Sequence, residues 1–144
     1  MSSFAIDGSD RERIAVTVRG YERAVSGEYH DDNWLAVVVE VNAGAFSAKY
    51  DAAFLTEDFV RFRAQLGVLY ATLNGEARFT PLEEQLAIRV SGNGRGGLTV
   101  GGEAADRPGS GNKLAFAFST DQTRLPPVLR DLDAILVAFP VRGA

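Results

Sequence analysis

Residues 46–62, FSAKYDAAFLTEDFVRF, change period at their centre, and that change decides the fold class. Phe46, Ala48 and Tyr50 alternate with Ser47, Lys49 and Asp51, which is the two-residue period of a half-buried strand. From Thr56 onward the apolar positions Phe59, Phe62, Leu66, Leu69, Tyr70 and Leu73 recur every three or four residues, the spacing of one helix face. Thr56 is expected to cap that helix by accepting from free backbone amides, and Glu57 and Asp58 place negative charge at its positive end. Asn74-Gly75 supplies a left-handed stop. A helix with so full an apolar stripe must lie against a sheet.

The sheet extends to both sides of this helix. Upstream, Trp34 to Val41 is rich in β-branched residues and apolar on both faces, which predicts a central strand covered on both sides with Trp34 in the core. Asn42-Ala43-Gly44 turns it back into the strand at Phe46 as a hairpin. The first strand is read from residue 13, where Ile14, Val16 and Val18 alternate with Arg13, Thr17 and Arg19. Downstream, four more strands are predicted: Ala77 to Thr80, Leu86 to Val90, Leu98 to Val100, and a strand carrying Leu114, Phe116 and Phe118. Their connections are too short for parallel crossovers, so they run antiparallel. Gly101-Gly102 is expected to end the third of these, and Glu103 to Asn112, with Pro108, Gly109 and Gly111, to form a mobile loop. A second helix, Pro127 to Phe139, carries Val128, Leu129, Leu132, Ile135 and Leu136, with prolines in its first turn and Pro140 ending it. The expected architecture is α+β: one domain, 1–144, with an ordered core over about 4–140. It is a mostly antiparallel, bent sheet of about seven or eight strands with two packed α-helices.

Composition removes much chemistry. The chain has 144 residues, no cysteine and one histidine, His30. Disulfides, a cysteine nucleophile and cysteine-based zinc sites are excluded, and a Ser-His-Asp triad is possible only around His30. Fifteen basic against nineteen acidic residues give a net charge of -4, with the bases scattered, which argues against nucleic acid as ligand. The first residues lack the positive and apolar regions of a signal peptide, and no apolar run approaches the ~18 residues of a membrane span. A cytoplasmic protein without a membrane partner is expected.

Each chemical motif has a plain structural explanation. Gly92 to Gly97 matches the dinucleotide fingerprint by letter, but Leu98-Thr99-Val100 continues as strand where a phosphate-binding helix should open, so hairpin chemistry explains the glycines. His30-Asp31-Asp32 is the one cluster able to hold a metal or act as an assisted base; adjacent residues diverge, and the two aspartates read as turn residues fixing where the Trp34 strand begins. Glu83-Glu84 reads as surface charge and Thr120 to Thr123 as local capping. No catalytic, cofactor-binding or metal-binding residue is assigned. The densest acidic stretch, Glu22 to Asp32, is either a solvated loop or the complement of a basic protein surface.

Asp32-Asn33-Trp34-Leu35, Ala45 to Ala48, Leu55 to Phe59 with Phe62 and Leu66, then Leu73, Gly75, Ala77, Leu82-Glu83, Leu86, the glycine hairpin, Leu114 to Phe116, Asp121 to Thr123, Leu125 and Phe139-Pro140 together resemble the WapI family of bacterial immunity proteins. The resemblance covers about residues 32–140 and rests on core and turn positions. It implies a non-catalytic protein that binds and neutralises the C-terminal domain of a cognate polymorphic toxin, often a nuclease, as a monomer or weak homodimer. Because a nuclease must be basic to hold its substrate, the expected partner-binding residues are Glu28, Tyr29, His30, Asp31 and Asp32, with Tyr21 or Tyr29 as aromatic anchor. The alternative is a small-ligand or scaffolding domain with an apolar pocket lined by Trp34, Phe116 and Phe118.

Overall fold

The computed structural model describes residues 2–143; Met1 and Ala144, the ends of the expected 1–144 domain, lie outside the described residues. The chain begins with strands β1 (Ser2–Asp7) and β2 (Arg13–Tyr21), a single helical turn α1 (Tyr29–Asp32), and strands β3 (Trp34–Ala43) and β4 (Phe46–Leu55). Helix α2 (Thr56–Thr72) leads to β5 (Asn74–Phe79), β6 (Leu86–Asn93), β7 (Gly97–Arg107) and β8 (Ser110–Asp121). A 3-10 turn at Gln122–Arg124 opens into helix α3 (Leu125–Ala138). All neighbouring strands are antiparallel, so the α+β class holds. The strands form two four-stranded meanders, β1-β2-β3-β4 and β5-β6-β7-β8, with α2 as the link between them.

One continuous core joins the two sheets. The first contributes Phe4, Ile6, Ile14, Val16, Val18, Leu35, Val37, Val39, Val41 and Phe54; the second contributes Phe79, Leu86, Ile88, Val90, Val100, Phe116 and Phe118. Helix α2 adds Phe59, Phe62, Leu66 and Leu69 from the expected stripe, but Tyr70 is 42% exposed and Leu73 falls after the helix; α3 adds Leu125, Val128, Leu132 and Ile135. Helix α2 packs along β5, whereas α3 returns to pack on β1 and on α2. A two-pronged ion pair from Arg63 Nε and Nη2 to Asp133, at 2.7 and 3.1 Å, ties the helices together. At the centre, Phe79 meets Phe54, Phe59 and Phe62 with ring centroids 5.1, 5.5 and 5.5 Å away.

Several expectations are corrected. β1 was not foreseen; Phe4 and Ile6 are fully buried, but two apolar positions are too short a run to show a period. β3 is central, yet only Leu35, Val37, Val39 and Val41 face the core. Trp34, Ala36 and Val38 lie half-buried on the outer face, so Trp34 is not a core residue. Thr56 does not cap α2 by accepting amides: it is the first helical residue, and its own amide reaches the Asn33 carbonyl at 2.9 Å. The capping acceptor is Asp58, whose Oδ2 receives the Leu55 amide at 2.9 Å. The helix ends at Thr72, two residues before the expected end at Asn74, with Leu73 itself left-handed at φ 60°.

The largest correction concerns residues 101–112. Gly101 and Gly102 do not end a strand, and Glu103 to Asn112 is not a mobile loop: β7 and β8 form a long hairpin closed at Pro108-Gly109. Asp106 accepts the Asn112 amide at 2.9 Å across its mouth, which holds the Asp106 carboxyl below the usual carboxylate range. The Gly92 to Gly97 segment is a hairpin, as expected, with Gly94 and Gly96 at φ 82° and 101°. Asp121 accepts the Thr123 amide at 2.8 Å, the local cap expected there.

Candidate functional site

The connection between β2 and β3, residues 22–33, stands out from the tight turns that join β3 to β4 and β7 to β8. Connections longer than a hairpin needs are where binding residues concentrate. This one lies at the end of the first sheet where Tyr21 pairs with Leu35, and the start of α2 borders it through the Asn33–Thr56 hydrogen bond.

Asp32 organises it. The residue is 2% exposed, and its carboxylate accepts the Ser26 amide and hydroxyl at 2.7 and 2.8 Å and the Gly27 amide at 2.9 Å. The Ser26 amide and hydroxyl lower its pKa most, Gly27 and the nearby Arg142 charge lower it further, and together they favour the ionised form more than burial opposes it. Asn33, fully buried, donates from Nδ2 to the Tyr29 and Arg142 carbonyls at 2.8 and 2.9 Å and accepts the Arg142 amide at 2.7 Å. The Arg142 guanidinium lies 3.6 Å over the Tyr21 ring and donates to the carbonyls of Asp32 and Arg23 at 2.8 and 2.9 Å. The chain after α3 thus clamps the loop from outside.

What remains for a partner is the outer surface. Glu28 and His30 are exposed, Asp31 is half-exposed and pairs with Arg23 at 2.6 Å, and Val25 is 68% exposed. The half-buried Tyr29 donates its hydroxyl to Glu57 on α2. That hydrogen bond, more than desolvation, raises the Tyr29 pKa. Asp58 is buried beside Glu57, and burial pushes its carboxyl up against the opposing pull of the Leu55 amide and Arg61. Arg23 pairs with Glu22 and Asp31, Arg61 pairs with Glu57 and Asp58, and Arg142 lies near Asp32, so these three arginines and six carboxylates, Glu28 included, leave this group net acidic.

Of the five residues predicted to bind a partner, Glu28, Tyr29, His30 and Asp31 come together around α1, while Asp32 points inward and holds the loop. In the His30-Asp31-Asp32 cluster the aspartates are engaged elsewhere, Asp31 by Arg23 and Asp32 by Ser26 and Gly27. Asn33 and Arg142 as organisers were missed, because nothing in a lone arginine beyond Pro140 announces its target. Trp34, Phe116 and Phe118 do not line a common pocket: the phenylalanines lie in the core of the second sheet and Trp34 on the outside of the first. Open grooves lie elsewhere, one of about 490 Å³ beside Pro81, Leu82, Glu103 and Lys113, another of about 250 Å³ beside Phe46 and Leu114.

Acid should release the loop locally. A group whose folded pKa is lowered stabilises fully above its unfolded value, ~3.9 for aspartate, and loses that contribution as pH falls through the lowered value. Amide exchange at Ser26 and Gly27 is expected to accelerate over that range, and Asp32→Ala to show the fast exchange already at pH 7. Unchanged protection in that variant would remove Asp32 as the anchor.

No helix among the described residues is long and apolar enough to cross a membrane. Compared with models of known families, the chain is similar to the immunity protein WapI-like family over residues 5–140. No curated protein matches it.

Proposed function

Because the chain belongs to the WapI-like immunity protein family, matched from β1 to the end of α3, we propose that it is a cytoplasmic, non-catalytic inhibitor that binds one cognate toxin domain and holds it inactive. The family match carries this reading, and the rigid acidic end of the first sheet gives it a physical form. A toxin that acts on nucleic acid must present a basic cleft, and a fixed cluster of carboxylates attracts such a surface before contact. Rigidity matters as much as charge. A loop already held by Asp32, Asn33 and Arg142 loses little freedom on binding, so more of the interaction energy appears as affinity. Neutralisation at low free toxin needs about nanomolar affinity, roughly 12 kcal/mol.

Glu28, Tyr29, His30 and Asp31 are the contact residues in this proposal, and Asp32 their support. Glu28→Gln combined with Asp31→Asn is expected to slow association about tenfold at low salt and to flatten its salt dependence, with the folded state unchanged. An unaltered on-rate would remove the acidic end from the encounter. The test of the function itself is co-expression with the C-terminal domain of a toxin encoded beside this gene. Growth should be restored, and continued killing refutes immunity against that toxin.

A further inference from the structure

The outer face of the first sheet has the wrong composition for a surface that meets only water. An antiparallel sheet with one face in solvent ordinarily alternates apolar inside with polar outside. Here the middle of the outward face reads Thr17 on β2, Trp34, Ala36 and Val38 on β3, and Ala53 on β4, all partly buried beside buried Ala15, while Arg13, Glu40, Lys49 and Asp51 lie toward its margins. The register makes them one patch: Ala36 lies opposite Ala53 on one side and Gly20 on the other, and Val38 opposite Thr17 on β2 and, at the patch's edge, Asp51 on β4. Both helices bury their apolar stripes in the shared core, against the other face. The charges around the patch satisfy one another, with Arg13 to Asp7 at 2.8 Å, Lys49 to Glu40 at 3.2 Å and Arg19 to Asp51 at 3.9 Å. The centre is therefore smooth, apolar and electrically balanced.

Its aromatic end adjoins the acidic loop. Trp34 directly follows buried Asn33, and its carbonyl accepts the Glu22 amide at 2.8 Å. An apolar patch anchored by a partly buried tryptophan and bordered on one side by a net-acidic loop has the anatomy of a protein interface, in which a desolvated aromatic centre supplies affinity and a charged rim supplies steering. We infer that this face, centred on Trp34, Ala36 and Val38, docks a basic protein domain, and that Trp34 is its principal anchor. The inference rests on the toxin-neutralising reading and names where the toxin sits. Charge selects this occupant over a second copy, since two copies each carrying -4 repel while a basic domain gains from the same acidic rim.

Trp34 is the lone tryptophan of this chain, so once the emission of the toxin domain alone is subtracted the indole signal reports this face. Titration of the wild-type protein with the co-encoded toxin domain is expected to shift Trp34 emission to the blue and shield it from iodide. Trp34→Ala should weaken binding about 30-fold or more, and Val38→Lys should weaken it while circular dichroism and thermal midpoint stay near wild type. If the toxin domain binds with unchanged emission and Trp34→Ala keeps wild-type affinity, the docking face is refuted and the immunity reading stands. If the wild-type protein does not bind that domain at all, both fail together. Concentration-dependent dimer mass accompanied by the same emission shift assigns the face to a second copy and overturns the inference.

Discussion

Gly102→Ala is expected to destabilise the fold severely where Gly101→Ala, one residue away, is tolerated. A Cβ built at Gly102 falls 1.8 Å from the Ala87 carbonyl oxygen on β6 and 2.9 Å from the Phe116 ring on β8. Neither neighbour can retreat cheaply, because Gly102 pairs with Ile88 on one side and Phe116 on the other in the middle of the second sheet. Relief requires β6 and β7 to part, with loss of ladder bonds and of packing around Ile88 and Phe116. A cost above ~3 kcal/mol follows, a large share of the ~5–15 kcal/mol that holds a domain folded. At Gly101 the nearest atoms are the flexible Arg89 guanidinium at 3.4 Å and the Phe116 carbonyl at 3.7 Å, which leaves room for a methyl group. Urea unfolding of the two variants decides the matter, and equal midpoints would remove close approach as the reason for glycine at 102.

Phe79→Ala should cost about 4 kcal/mol, near the middle of the range for a buried phenylalanine. Its ring stands edge-on to Phe4, Phe54, Phe59 and Phe62, so residues from β1, β4, β5 and α2 meet at one point. Removing it opens a cavity between the two sheets and the helix, and no single element can shift to fill it without breaking register elsewhere. Phe79→Leu keeps most of the volume and is expected to recover more than half of the loss. Denaturant midpoints at constant slope measure both; a loss below ~1 kcal/mol for the alanine variant would mean that the cluster relaxes around the gap.

The sequence discloses what repeats. Helix α2 shows its apolar stripe over four turns, and the alternation of β2, β4, β6 and β8 survives in the structure nearly position for position. Glycine-rich stretches mislead in both directions, since a glycine marks a turn at Gly94 and Gly96 and a crowded strand at Gly102. Composition alone cannot tell a residue that needs a left-handed backbone from one that must admit a neighbour. β3 shows the same limit for burial: Trp34, Ala36 and Val38 are as apolar as Leu35, Val37 and Val39, and only the tertiary arrangement says which set meets the core. The acidic stretch was legible as a charge cluster, but not the division of labour within it. Asp31 and Asp32 are adjacent and identical, yet one pairs with an arginine at the surface and the other is enclosed by three donors. The partner of the loop, Arg142, is more than a hundred residues distant along the chain, beyond the reach of any local pattern.

The alternation along β3 also separates two kinds of evolutionary freedom. Positions 35, 37, 39 and 41 are constrained by everything they touch inside, whereas 34, 36 and 38 can exchange side chains without altering volume or register within. A lineage pressed to recognise a changed adversary could rewrite every second letter of one strand and inherit the same folded body unaltered.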